Sequence, residues 1–122
     1  MTTALLLFAH GARDPEWAQP LQRVKAAIQA QRPGQLVELA FLEFMAPDLP
    51  AAASQLVAAG AQRIQVLPMF IAQGGHLKRD LPQLIDRLRS TWPQVEFMLA
   101  PAVGEDARVS TAMAAVALDF VG

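Results

Sequence analysis

The segment IQVLPMFIAQGGHLKRD, residues 64–80, decides how the rest of the chain is read. It passes from an apolar run into two adjacent glycines and a histidine, then two basic residues and an aspartate. The apolar part is short and bounded by turn residues, which predicts a strand over 63–69. The part after it predicts a loop capped by Asp80, then a helix with Leu81, Leu84, Ile85 and Leu88 on one face, Pro82 near its start and Pro93 beyond its end. The amino end repeats the arrangement: ALLLFA, residues 4–9, runs into His10 and Gly11. His10 and His76 are the only two histidines, and each follows a predicted strand.

Working outward, further short apolar runs predict strands over 36–42 and 95–100. Clean in/out alternation is missing, as expected of strands covered on both faces. Stretches of helical period lie between them. Asp14-Pro15 supplies a cap and a first-turn proline for a helix whose stripe is Trp17, Leu21, Val24 and Ile28, stopped at Pro33-Gly34. A second helix follows Pro47-Asp48, with Leu49, Ala52, Ala53, Leu56 and Val57 on one face, and ends at Gly60. The last starts near Glu105 and carries Val109, Met113, Val116, Ala117 and Phe120. Strict β-α alternation predicts a single α/β domain over 1–122: a four-stranded parallel sheet of order 2-1-3-4 with helices on both faces. A singly wound order 1-2-3-4 would leave one sheet face bare.

Composition removes several function classes. Ten basic against eleven acidic residues give a net charge of −1, which offers no footprint for nucleic acid or an anionic membrane. There is no cysteine, so disulfides, thiolate metal sites and thiol catalysis are excluded. A metal would have to be held by nitrogen and oxygen. The run ALLLFA is too short for a signal-peptide core or a membrane span, which predicts a cytoplasmic protein.

In a doubly wound sheet the ligand crevice lies beyond the carboxyl ends of the strands flanking the point where winding reverses. Order 2-1-3-4 puts that point between strands 1 and 3. His10 and His76, 66 positions apart in sequence, then reach opposite lips of one cleft. Glu43 follows strand 2 on the same edge. Two imidazoles and a carboxylate suit a borderline divalent ion with open positions. Each also has an ordinary alternative: a loop histidine bonded to a carbonyl, a helix cap, a paired carboxylate. Gly11, Gly74 and Gly75 read first as turn residues needing positive φ, and otherwise as places where a flat ligand approaches the backbone. Arg13, Lys78 and Arg79 sit on the two histidine loops and predict a positive rim for a carboxylate-rich ligand. Trp17, Met45, Met69 and Phe70 are candidates for the cleft wall, although Trp17, which belongs to the helix stripe, is expected in the core.

With FAHGARDP (8–15), AFLEFMAPDLPAA (40–52), VLPMFIAQGGHLKRDLP (66–82) and LAPAVGEDAR (99–108) in this order, the sequence resembles the small form of the CbiX family, the class II sirohydrochlorin chelatases of cobalamin and sirohaem synthesis. The resemblance implies ATP-independent insertion of a divalent metal, Co²⁺, Fe²⁺ or Ni²⁺, into the tetrapyrrole sirohydrochlorin, with the ion as substrate and no permanently bound cofactor. His10 and His76 match the family's two histidines, and Glu43 falls where related chelatases have an acidic residue near the metal. Ala12 replaces a common serine. Longer members carry two such lobes in one chain, so a single lobe implies a homodimer with its histidine faces opposed. A neutral imidazole can ligate an ion or accept a pyrrole proton, and its ordinary pKa near 6.5 suits both. The rival readings are a nucleotide- or flavin-binding module, which lacks its glycine-rich fingerprint here, a phospho-receiver, which lacks an aspartate after strand 3, and a non-catalytic metal or tetrapyrrole carrier.

Overall fold

Parallel pairing of two central strands organises the computed structural model, which describes residues 1–122. In chain order the elements are β1 (Thr3–Ala9), a 3₁₀ turn (Pro15–Ala18), α1 (Gln19–Gln31), β2 (Val37–Phe41), α2 (Leu49–Ala58), β3 (Arg63–Pro68), α3 (Gly75–Thr91), β4 (Glu96–Leu99), a 3₁₀ turn (Val103–Glu105) and α4 (Ala107–Leu118). The sheet order is β2-β1-β3-β4, all parallel, as the β-α alternation predicts. Register aligns Phe8 with Ala40 on one side and Pro68 on the other. The carboxyl ends of β1 and β3 therefore finish side by side, and winding reverses between them.

The main core lies between the sheet and the pair α2/α3. Leu6, Phe8, Ile64 and Val66 meet Leu49, Ala52, Ala53 and Leu56 of α2 and Leu81, Ile85 and Leu88 of α3. Burying an aliphatic or phenyl side chain of this size contributes about 1.5–3 kcal/mol each, so this layer carries most of the stability. On the opposite face a smaller cluster of Leu7, Val37, Leu39 and Phe41 packs under Ala18, Leu21 and Ile28. No helix is long and apolar enough to cross a membrane.

Four expectations are corrected. The helix stripe does not begin at Trp17: Asp14 Oδ1 accepts from the Glu16 amide at 2.9 Å and caps a 3₁₀ turn, so Trp17 falls outside α1 and is 51% exposed. Asp80 does not cap α3, which starts at Gly75 with Gly74 as its cap and holds Pro82 inside it. The Gly74 carbonyl accepts from the Lys78 amide at 3.1 Å, closing a first turn before the proline, so His76 stands on helix rather than loop. Gly11, Gly74 and Gly75 do not have positive φ; Gly34 and Gly60, which end α1 and α2, do. The apolar stripe of α4 is not buried, and the helix has no buried residue.

Asp106 caps α4, accepting from the Arg108 amide at 2.8 Å and from its guanidinium at 2.9 and 3.0 Å. The Arg108 side-chain hydrogen bond, helped by its backbone amide, lowers the Asp106 carboxyl from its ordinary 3.8 to about 2. A depressed folded-state pKa stabilises above the unfolded value and is lost as pH falls through the folded one. Helicity of α4 should therefore hold at pH 4 and fall towards pH 2. Hydrogen exchange of residues 107–118 checks this: Asp106→Asn should flatten that step, and an unchanged step would contradict the cap.

Candidate functional site

The site is built on the edge where β1 and β3 end. Just beyond the strands, the Met69 amide donates to the Phe8 carbonyl at 2.7 Å and the Leu42 amide to Ala9 at 2.8 Å, which carries the pairing up to the lip. His10 follows immediately. Its Nδ1 lies 3.1 Å from Glu43 Oε1, while Glu43 Oε2 accepts from the Gly11 amide at 3.2 Å. A carboxylate only accepts, so the proton of the neutral imidazole is on Nδ1 and the Nε2 lone pair is left free. The Trp17 indole donates to the His10 carbonyl at 2.8 Å, and the Phe70 ring lies 4.9 Å from the imidazole. His10 is thus held from three sides while its side chain stays 47% exposed.

Gly11 is needed for close approach. A Cβ there would overlap the Glu43 carbonyl oxygen and press on Met45, so glycine lets the β1 and β2 loops touch and the carboxylate reach the imidazole. Gly74 and Gly75 differ: a Cβ on either would meet nothing within 4 Å. Neither backbone angle nor crowding demands glycine at these two places.

His10 faces two cavities. One, of about 460 Å³, is mainly apolar and lined by Trp17, Leu21, Met69, Phe70 and Ile71. The other, of about 720 Å³, is lined by His10 together with Gly74, Gly75, His76, Asp80 and Arg87. The structure therefore brings His10 and His76 to one cavity, as the strand order implies. Glu43 backs His10 and does not line that cavity. No three histidine or carboxylate side chains converge tightly enough to hold an ion. Arg13, Lys78 and Arg79 are exposed and form no ion pair. The Arg13 guanidinium lies 5.2 Å from the centre of the Phe44 ring, and Phe44 holds a left-handed φ of 67°.

Sequence reading missed Phe44 as the platform for Arg13, and Arg87; Trp17, a candidate for the wall that the helix stripe assigned to the core, lines the apolar cavity. Also missed was Gly104, whose amide donates to Phe70 at 2.9 Å and where a Cβ would overlap the Ile71 backbone. Periodicity carries no signal for such contacts between distant loops.

The CbiX family model matches residues 4–119. The chain belongs to the CbiX family. This CbiX chain is 36% identical over 111 residues to the sirohydrochlorin cobaltochelatase of Saccharolobus islandicus (strain L.S.2.15 / Lassen #1), covering 86% of itself and 85% of that protein. Among solved structures it superposes on a CbiX protein from Marinobacter aquaeolei VT8 with a TM-score of 0.84 at 26% identity, covering 98% and 97% of the two chains. It also superposes on the sirohydrochlorin chelatase SirB of Bacillus subtilis subspecies spizizenii in complex with cobalt, with a TM-score of 0.83 at 27% identity. There it covers 98% of itself and 51% of SirB, so it spans about half of that chain.

The carboxylate bridge yields a direct prediction. In ¹⁵N spectra at a pH where imidazole is neutral, His10 should carry its proton on Nδ1, and Glu43→Ala should shift the proton towards Nε2 without changing the far-UV circular dichroism. The same tautomer in both proteins would contradict the geometry.

Proposed function

We propose that this CbiX chain is a metal chelatase, a lyase that inserts a divalent ion into sirohydrochlorin without a nucleotide, with residues 1–122 acting as one lobe. The observation that carries the reading is an imidazole held by a carboxylate and lining a cavity shared with the second histidine. Family membership and the names of the relatives supply the substrate class.

Insertion requires that the ion shed water, that two pyrrole N–H protons leave, and that the macrocycle bend towards the metal. His10 and His76 are assigned jointly to holding the ion and accepting protons, because a neutral imidazole does either. Glu43 fixes the tautomer and direction of the His10 ring, as a carboxylate behind a ligating histidine does. It can also complete the ligand set once an ion arrives. Gly11, Gly74 and Gly75 keep the lips low for the macrocycle; at the last two nothing lies within 4 Å of a Cβ, which leaves their backbone open to an incoming ring. Arg13, Lys78 and Arg79, free of ion pairs, are the partners of the substrate carboxylates. The reading includes a cytoplasmic location and a homodimer, since SirB is about twice as long as the part matched here. Cobalt, the ion in one of those structures, is the first choice of metal, with Fe²⁺ and Ni²⁺ as alternatives in sirohaem or nickel tetrapyrrole synthesis. A non-catalytic carrier would use the same binding residues and differ only in turnover.

Anaerobic incubation of the protein with sirohydrochlorin and Co²⁺, Fe²⁺ or Ni²⁺ in turn, without nucleotide, tests the proposal. Absorbance should report faster insertion than in the protein-free control for at least one metal. Rates equal to the control for all three would leave the carrier.

A further inference from the structure

One side of α3 runs along the polar cavity. His76, Asp80, Gln83 and Arg87 recur at i, i+4, i+7 and i+11, and all four line it. Leu81, Ile85 and Leu88 are turned the other way, into the core. At about 1.5 Å per residue the stripe is roughly 16 Å long from His76 to Arg87. Its charge is ordered. The imidazole and the Asp80 carboxylate stand towards the amino end of the helix, and the guanidinium stands towards the other end.

Arg87 is the one permanent cation among the residues lining this cavity. Arg13, Lys78 and Arg79 line neither it nor the apolar cavity. Arg87 is exposed and forms no ion pair, although Asp86 precedes it in sequence. That carboxylate is engaged elsewhere: Asp86 Oδ1 accepts from Arg89 at 2.8 Å, and Arg89 also donates to the Phe97 carbonyl at 2.9 Å. The planar fork of Arg87 is thus left for a partner from outside the chain, and a carboxylate fits it in two parallel bonds.

Resting on the chelatase reading, we propose that Arg87 binds a carboxylate arm of the tetrapyrrole and so fixes which way the macrocycle enters. The metal-accepting centre lies towards the His76–Asp80 end of the stripe, and an acidic arm lies at the Arg87 end. The ordered charge opposes the reverse placement, because an acidic arm brought to Asp80 is repelled while one at Arg87 is neutralised. Arg13, Lys78 and Arg79 take arms at the rim, outside the cavity that holds both histidines.

Titration of metal-free sirohydrochlorin into the protein, followed by quenching of tryptophan fluorescence, reads this contact without turnover, since Trp17 lies beside His10. Arg87→Ala should weaken binding about tenfold, the worth of one charge-assisted hydrogen bond. Arg87→Lys should fall between, because it keeps the charge and loses the fork. Arg32→Ala removes the same charge at the far edge of the sheet, where Arg32 lines a separate small cleft with Leu5 and Gln35, and should bind as the parent does. In the insertion assay Arg87→Ala should raise KM and leave kcat near the parent value, as loss of uniform binding does. Undiminished binding by Arg87→Ala with parental far-UV circular dichroism overturns the proposal. So does an equal loss in Arg32→Ala, which would reduce the effect to net charge. A parent that binds sirohydrochlorin but inserts no metal overturns the chelatase reading alone, and the titration still decides the Arg87 contact; a parent that binds none overturns both.

Discussion

The pairing of β1 with β3 is the constraint on which the remaining features depend. With β1 hydrogen-bonded to β2 on one side and β3 on the other, the chain must leave β1 towards one edge and β3 towards the other. The two connections separate at the strands' carboxyl ends. Into that gap the sequence places an imidazole immediately after β1 and a glycine-rich segment after β3, so a separation of 66 residues becomes a shared cavity wall. The large apolar residues behind it, Phe8, Ile64, Val66, Leu81 and Ile85, make the pairing rigid and hold it against α3.

A second level of order comes from contacts between loops. Gly11 lets the β1 and β2 loops close, and that closure places the Glu43 carboxylate against both the His10 ring and the Gly11 amide. Gly104 does the same for the turn before α4 and the segment after β3. The polar groups of the site are thereby oriented before any ligand arrives, which is the condition for a ligating imidazole to present one defined nitrogen.

Strand order and the convergence of His10 with His76 were legible in the sequence because both follow from short apolar runs, β-α alternation and the crevice rule. The start of α3 was not, since Gly-Gly-His offers no capping side chain and Pro82 suggests a later beginning than Gly75. Trp17 was misplaced for a related reason: its spacing fits the stripe of α1, but Asp14 and Pro15 favour a tight turn that rotates the indole towards His10. The apolar period of α4 predicted a helix there but not its exposure, since period alone does not locate a surface to cover it, and the helix has no buried residue. The partners of Arg13 and Gly104 depend on loops that meet only in the folded state.

The central claim is that His10 and His76 act as one unit on the ion or on the protons it displaces. The most direct measurement is metal insertion per folded molecule for His10→Ala, His76→Ala and the double variant, with the denaturation midpoint recorded for each. The account predicts that each single change removes most of the activity, that the double change costs little more than the worse single one, and that stability falls little, because residues acting together are non-additive. Near-normal turnover in folded His76→Ala, or full multiplication of the two losses, would contradict it.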